Sequence, residues 1–304
     1  MPLILLFIDG FGIGNKNPKV NPLFSSNLPT LTNICGGELF HSKRKRISTL
    51  LAEVVPVSAT LGLPGLPQSG TGQTAIFTGQ NGAKLFGKHF GPYPPTKLRS
   101  MIERENIFSK LLAAGKTVCF ANAFPRRFFE YTNSGTRRLS VTTLAALAAG
   151  VPLLTAVDLR KNAGISADFN RDRWEELGDH GIAKITAETA GEHCAQMAQQ
   201  VDFLLFEYWL TDHAGHSQKM DFSTVVLERL DQFLSGLLKT LPLDRFSVIL
   251  ISDHGNIEDL STKSHTRNSV PGIFLGAARN KFAARVKNLT HITPRIVKFL
   301  TEHG

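Results

Sequence analysis

The sequence predicts an α/β protein with a doubly wound, mostly parallel sheet that is flanked by helices. Short apolar runs rich in β-branched residues recur along the chain, as in strands buried on both faces. Amphipathic segments with apolar residues three and four positions apart lie between these runs. Because strands alternate with helices, the favoured topology joins parallel strands through helical crossovers.

The predicted strands are apolar runs bounded by turn residues. The first run contains no polar residue, which is typical of a central strand. Polar residues directly after these runs should lie at the carboxyl edge of the sheet, where open α/β sheets bind ligands. The predicted strands are residues 3–8, 47–57, 117–121, 203–206, 246–251 and 270–275.

The predicted helices carry start and stop signals. Pro29 and Pro294 suit the first helical position, Thr186 and Thr293 suit an N-cap, and Gly115 ends the helix that precedes it. The predicted helices are residues 29–34, a short helix from Ser69, residues 106–114, residues 141–149, a helix after Thr186, residues 225–238 and a last helix from Thr293.

The length and composition allow one large domain with an insertion. The chain has 304 residues, of which 42% are hydrophobic, and this is enough for a substantial core. Residues 125–189 have a less regular pattern than the rest. We therefore expect a core domain of residues 1–124 and 190–304, with residues 125–189 as a small inserted cap.

The charge favours a small anionic partner over nucleic acid. The formal net charge is +9, but lysine and arginine are scattered except for the run at residues 43–46, which has no interleaved aromatic residues. A phosphorylated small molecule fits this charge. The sequence does not determine an oligomeric state.

Membrane insertion and a disulfide framework are not expected. No apolar run approaches the ~20 residues of a membrane helix, and no charged segment precedes Leu3 as in a signal peptide. Cys35, Cys119 and Cys194 are odd in number and widely spaced. These features predict a cytoplasmic protein without membrane partners.

Metal-type ligands follow three of the predicted strands. Asp9 ends the first strand, Asp212 and His216 follow the fourth, and Asp253 and His254 follow the fifth. Asp212 and His216 are four residues apart, so on a helical turn both would face one point. His265 lies just downstream. The alternative for Asp9 is a turn-forming aspartate, and for Asp253-His254 a turn that contains a histidine.

Ser69 ends a segment rich in glycine and proline, at a predicted helix start. Free N–H groups and the positive end of the helix dipole suit a nucleophile or a phosphate there. An N-cap serine without chemistry is the alternative, and Thr71 is the rival nucleophile. Asn122, Arg126 and Arg127 follow a strand and are candidate phosphate contacts, although surface charge also explains the arginines.

This pattern resembles the alkaline phosphatase superfamily, most closely its cofactor-independent phosphoglycerate mutase and phosphopentomutase branch. The resemblance implies one metal on Asp9, Ser69, Asp253 and His254, and a second metal on Asp212, His216 and His265. It also implies that Ser69 forms a phosphoenzyme. Ser69 and Gly72 match the Ser-x-x-Gly pattern of the mutases, whereas Gln73 departs from their usual histidine. The similarity covers residues 3–12, 67–79, 212–216, 252–256 and 265–271.

The expected activity is that of a two-metal phosphoesterase or phosphotransferase for a small phosphorylated or phosphonylated metabolite. Mixed carboxylate and imidazole ligands suit Mn or Zn better than Mg. A mutase is the second hypothesis, because the resembled mutases carry a large inserted domain for which residues 125–189 are too short. A non-catalytic metal-binding or anion-binding protein is the third, and the seven intact ligand positions argue against it.

Overall fold

A computed structural model describes residues 1–44, 46–135 and 138–302, so Lys45 of the basic run lies outside the described residues. Within these ranges, seven strands form the main sheet, and two further strands form a small separate pair. The strands are β1 (Leu3–Ile8), β2 (Ile47–Ser48), β3 (Ala52–Val57), β4 (Val118–Phe120), β5 (Ala123–Phe124), β6 (Leu154–Thr155), β7 (Phe203–Tyr208), β8 (Ser247–Ile251) and β9 (Val270–Gly276).

The main sheet has the order β2-β3-β9-β8-β1-β7-β4. Strand β1 pairs in parallel with β7 and β8, and β4 pairs in parallel with β7. Strand β9 runs antiparallel to both of its neighbours, β8 and β3, so β3 has the direction of β1. The mostly parallel α/β fold predicted from the sequence is confirmed.

Helices cover both faces of this sheet. In the described residues, no helix is long and apolar enough to cross a membrane. The helices are α1 (Pro29–Ile34), α2 (Ser69–Thr78), α3 (Gly82–Phe86), α4 (Thr96–Glu105), α5 (Ile107–Ala113), α6 (Arg126–Asn133), α7 (Val141–Ala148), α8 (Ala156–Arg160), α9 (Ala187–Ala198), α10 (Leu210–Ser217), α11 (Met220–Thr240), α12 (Arg279–Ala283) and α13 (Ile292–Glu302).

The two faces of β1 belong to two separate apolar cores. Ile4, Leu6 and Ile8 pack with α9 and α11 on one face, while the alternate residues of the strand pack with α2, α5 and α13 on the other. Helices α9 and α11 approach closely through small residues. A Cβ on Gly236 would lie 1.9 Å from the backbone oxygen of Glu188, so only glycine fits there.

Several elements differ from the prediction, and the short elements α3, α6, α8, α12, β5 and β6 were not predicted. The run at residues 47–57 forms two strands, because the chain turns at Leu50, which is 93% exposed. The last helix begins at Ile292, two residues before Pro294, and Thr293 does not cap it because its hydroxyl donates to the carbonyl of Ile76. Helix α4 was not predicted, although Leu98, Met101 and Ile102 have the spacing of an amphipathic helix and pack on the core.

The segment predicted as a cap does not pack as one unit. Helix α7 joins the core on the face of α2 and α5. A separate small apolar cluster forms around Leu159 and Trp174, with Ala123, Ala156 and Ile182. Phe169 reaches from this segment into the core and stacks on Tyr208, with ring centroids 4.4 Å apart. The division into core and cap stays a prediction.

Candidate metal centre

The sheet register brings the predicted ligands together. Phe7 of β1 lies opposite Glu207 of β7 and Ile251 of β8, so the three parallel strands end at the same level. Asp9 therefore meets Asp253 at the carboxyl edge of the sheet. Helix α10 begins just after β7 and places Asp212 in its first turn.

Ser69 is the first residue of α2, and Gln68 is the N-cap. The N-cap alternative for Ser69 is therefore wrong. Its hydroxyl oxygen lies 3.0 Å from Nε2 of His254. The rival Thr71 faces elsewhere, since its hydroxyl donates to the carbonyl of Gln68 and accepts from the N–H of Phe90, each at 3.2 Å.

Asp212, His216 and His265 form the first group of metal-type ligands. Nδ1 of His216 lies 2.7 Å from the carbonyl oxygen of Lys263, and Nδ1 of His265 lies 2.8 Å from that of Pro67. Donation of Nδ1–H to these carbonyls leaves the Nε2 lone pairs free. The two Nε2 atoms are only 3.2 Å apart, and such a convergence of lone pairs fits a shared cation.

Asp9, His254 and Asp212 form a second group. Nε2 of His254 lies 3.3 Å from Oδ1 of Asp9 and 3.5 Å from Oδ2 of Asp253. Both carboxylate oxygens are buried, and neither has a hydrogen-bond partner among the described residues. Buried unpaired oxygens are rare in native proteins, so the donors of this group also fit a divalent cation.

The electrostatics of the site favour bound positive charge. Burial, and then the charges of Asp253, Asp212 and Glu207, raise the pKa of Asp9 well above its ordinary value. Burial lowers the pKa of His254, which keeps its ring neutral as a metal ligand must be. Divalent cations would relieve the repulsion among the carboxylates.

The structure brings all seven predicted ligands to one place, but the groups it forms differ in one respect from those implied by the resemblance. Asp212 belongs to both groups, with its Oδ1 4.0 Å from Nδ1 of His254 and 3.5 Å from Nε2 of His265. Asp253 adjoins the second group through His254. The division of ligands between two metals stays a prediction.

Sequence reasoning missed the residues that hold these ligands. Asn256 donates from Nδ2 to Oδ1 of Asp212 at 2.7 Å, and Gln73 donates to Oδ2 of Asp9 at 3.4 Å. Glu258 accepts from the backbone N–H groups of Gly12 and Asn256. Asn256 could have been found because it ends the Asp-His-Gly-Asn run, whereas no local pattern marks Glu258.

Glu207 is a further buried acid that the sequence analysis did not single out. Burial raises its pKa to about 7, with the hydroxyl of Thr142 opposing and the charge of Asp253 adding to the shift. Asn122 bonds to the backbone of Glu207 in both directions, each at 2.8 Å. Asn122 thus ties two strand ends together, and its role as a phosphate contact stays a prediction.

A cavity of about 980 Å³ opens above the ligands, and Ser69 lies on its floor. Asn122 lines this cavity, but Arg126 and Arg127 do not. Arg126 is exposed and pairs with Glu130 at 2.9 Å. The structure therefore does not bring these two arginines to the site. Other arginines line the cavity instead: Arg138, Arg173 and Arg229.

Comparisons with known proteins agree with this geometry. A sequence profile of the metalloenzyme superfamily matches residues 1–302. A 2,3-bisphosphoglycerate-independent phosphoglycerate mutase of Pyrococcus abyssi is 20% identical over 311 residues, which cover 89% of this chain and 70% of that enzyme.

Solved structures share the fold. A Pyrococcus horikoshii protein has a TM-score of 0.58 at 13% identity, over 100% of this chain and 97% of that chain. The alkaline phosphatase of the Antarctic bacterium TAB5 has a TM-score of 0.54 at 12% identity, over 99% and 97%. A variant of the latter enzyme was solved with Mg bound. The predicted alkaline-phosphatase-like fold is thereby confirmed.

Proposed function

Because this chain belongs to the metalloenzyme superfamily, we propose that it is a two-metal phosphoesterase or phosphotransferase. Its substrate is a small phosphorylated or phosphonylated metabolite, and the reaction passes through a phosphoenzyme on Ser69. One observation carries the proposal: the Ser69 hydroxyl lies 3.0 Å from His254, among unpaired carboxylate oxygens and on the floor of an open cavity.

Two divalent cations, with Mn or Zn favoured by the mixed ligand set, are held by the residues that converge on the site. Asp9, Ser69, Asp253 and His254 hold one, and Asp212, His216 and His265 hold the other. When bound, such a pair lowers the pKa of a hydroxyl and neutralises phosphoryl oxygens.

The residues of the chain account for the remaining steps. Ser69 Oγ attacks phosphorus, an O–P bond to Ser69 forms, and the bond from phosphorus to the leaving oxygen breaks. Overall, the proton of the Ser69 hydroxyl is transferred to the leaving oxygen. Because Ser69 is the first residue of α2, the positive end of the helix dipole lies beside the phosphate. A water or acceptor hydroxyl from the cavity then attacks phosphorus, which releases Ser69 with a proton.

The test combines metal content with turnover of a generic aryl phosphate and a phosphodiester, with and without Mn, Zn or Mg. Ser69→Ala should retain metal but lose activity by at least about a thousandfold, as expected for a nucleophile. Ser235→Ala is the matched control, since Ser235 lies on α11 away from the site. Acid-quenched protein should carry one phosphoryl group in wild type and none in Ser69→Ala.

Other outcomes would change the proposal in defined ways. Metal binding with activity surviving in Ser69→Ala would move the nucleophile to Thr71 or to a water. Protein that neither binds metal nor turns over any phosphate ester would leave a non-catalytic binding protein.

A phosphoglycerate-type mutase is the second candidate, because the Pyrococcus abyssi relative carries that name and aligns with 89% of this chain. A mutase would interconvert 3-phosphoglycerate and 2-phosphoglycerate without releasing phosphate. The chain spans 70% of the length of that relative. Release of free phosphate from 3-phosphoglycerate, with no isomer formed, would exclude this candidate.

A further inference from the structure

The cavity above Ser69 is larger than a three-carbon substrate needs. Its volume of about 980 Å³ is at the upper end of the roughly 300–1,000 Å³ that is typical of pockets for drug-sized ligands. The cavity floor holds Ser69, Asp9 and Asp212, so a phosphate bound there would point the rest of its molecule into this space. The side chains on the cavity walls therefore indicate which kind of leaving group the site binds.

Aromatic side chains are concentrated on these walls. Among the described residues, four aromatic side chains are exposed, namely Phe90, Tyr93, Tyr131 and Trp209. All except Phe90 line the cavity. Trp209 is 41% exposed and directly precedes the helix of Asp212. Exposed apolar surface of this kind is typical of a binding site.

Two further rings lie at the start of the segment predicted as a cap, Phe128 within it and Phe124 directly before it. Phe124 and Phe128 line the cavity and lie against each other, with centroids 4.4 Å apart and an angle of 31° between their planes. Both are half-buried. Rings from the cap and Trp209 from the core thus line one cavity, which gives a flat guest several faces to contact.

The charges of the cavity do not match a small, highly anionic guest. Arg229 pairs with Asp172 at 2.9 Å, and Arg173 pairs with Glu176 at 3.4 Å. Arg138 also lines the cavity, and its guanidinium has no carboxylate partner among the described residues. Among the described residues, this guanidinium can neutralise one further negative charge of the substrate. The rest of the substrate faces aromatic rings.

We propose that the cavity binds a planar aromatic group joined to the phosphate, as in a nucleotide or an aryl phosphate. Phe124, Phe128 and Trp209 contact the faces or edges of this group, while its phosphate lies at Ser69. The inference rests on the proposed function, since it names the substrate class of the same site. Stacking of one base on aromatic side chains is sequence-tolerant, so it selects the ring rather than a particular base.

Paired substrates test the aromatic group directly. Adenosine monophosphate and ribose 5-phosphate share the phosphate and sugar and differ in the base. Benzyl phosphate and cyclohexylmethyl phosphate share the size and the alkoxide leaving group and differ in aromaticity. We expect kcat/KM to favour the aromatic member of each pair by about thirtyfold, the middle of the range for one stacked ring. A larger ratio of kcat/KM within the first pair would identify a nucleoside as the bound group. A larger ratio within the second pair would identify a simple aryl group.

Variants separate stacking from simple hydrophobicity. Phe128→Leu retains an apolar side chain but removes the ring, so it should reduce kcat/KM for the aromatic member of each pair, and with it the aromatic preference, severalfold. Val157→Ala, an exposed position of the cap outside the cavity lining, should change neither quantity. Equal kcat/KM within both pairs, or a preference for octyl phosphate over benzyl phosphate, would overturn the proposal.

A binding measurement keeps this inference separate from the catalytic one. Adenosine and benzyl alcohol are titrated into metal-loaded Ser69→Ala protein by calorimetry, with Phe128→Leu added to the same background. If no ester is turned over by wild type, the proposed function fails, yet saturable binding weakened by Phe128→Leu would still support an aromatic site. Absence of binding by both compounds would overturn it, whatever the activity.

Discussion

The hydroxyl oxygen of Ser69 lies 3.0 Å from Nε2 of His254, although the two residues are 185 positions apart in the chain. The contact requires α2 to begin very close to neighbouring backbone. A Cβ on Gly70 would lie 2.2 Å from the carbonyl oxygen of Tyr93, and one on Gly72 would lie 2.9 Å from that of Asp253. The glycines after Ser69 therefore set the position of the proposed nucleophile.

Asp212 is the carboxylate common to both ligand groups. We expect Asp212→Asn to reduce the metal content to below one ion per chain, because one substitution removes a charged ligand from both groups. His216→Ala should leave about one ion, since His216 belongs to the first group only. Elemental analysis after equilibrium dialysis measures this, with the exposed Asp221→Asn as control. A metal content of one ion per chain or more in Asp212→Asn would contradict the role of Asp212 as a ligand in both groups.

Glu258 holds the loops that carry the ligands. It accepts from the N–H groups of Gly12 at 3.1 Å and Asn256 at 2.7 Å, and from Nδ2 of Asn268 at 3.0 Å. Glu258→Ala leaves these buried donors unpaired, so we expect the free energy of unfolding to fall by about 3 kcal/mol. Urea denaturation with chelator present measures it. The exposed Glu302→Ala should stay within about 0.5 kcal/mol of wild type, and an equal effect of both would contradict the prediction.

Glu53 on β3 gives a pH-dependent contribution to stability. Burial alone would raise its pKa, but hydrogen bonds from Ser48 and Arg46 and the charge of Arg46 hold the pKa below its ordinary value of 4.5. Nε of Arg46 lies 2.8 Å from the carboxylate. Because the pKa is lower in the folded state, the stabilisation is present above pH 4.5 and is lost as the pH falls through the folded pKa.

Glu53→Gln should therefore lower the free energy of unfolding by about 1–2 kcal/mol at neutral pH. This value is small for a charged hydrogen bond because Arg46 is half-exposed and solvent screens its charge. The difference from wild type should shrink as the pH falls below 4.5. Urea denaturation across this range measures both effects. Glu105→Gln, which removes an exposed pair with Lys110 at 3.6 Å, serves as control. A difference that stays constant down to pH 3 would contradict the assignment.

Phe169 anchors the predicted cap segment to the core. Its ring stacks on Phe233 and Tyr208 at centroid distances of 4.3 and 4.4 Å, and it is fully buried. Phe169→Ala should reduce the free energy of unfolding by about 3–5 kcal/mol, through lost burial and the cavity left behind. Chemical denaturation measures the loss, and the exposed Val157→Ala should change stability little. A loss below 1 kcal/mol would show that the segment does not depend on this ring.

Much of the fold could be predicted because its signals are local. The apolar run at residues 3–8 is a central strand, and Thr186 caps α9 by accepting from the N–H of Thr189. Helix α4 was missed although its signal is also local, since Leu98, Met101 and Ile102 have helical spacing. The prediction of Thr293 as an N-cap was wrong because its hydroxyl donates to the carbonyl of Ile76, a partner 217 positions away.

The residues that could carry the chemistry are recognisable without the structure, since Asp9, Asp212 and Asp253 each follow a strand end and parallel strands end at one edge of a sheet. Their surroundings depend on the packing of distant segments. Contacts between distant segments decide three features of the site: Asp212 faces both ligand groups, Arg126 points away, and Trp209 faces the cavity. Local patterns record a residue's own backbone preference and burial, whereas its neighbours in space are set by how the helices pack on the sheet.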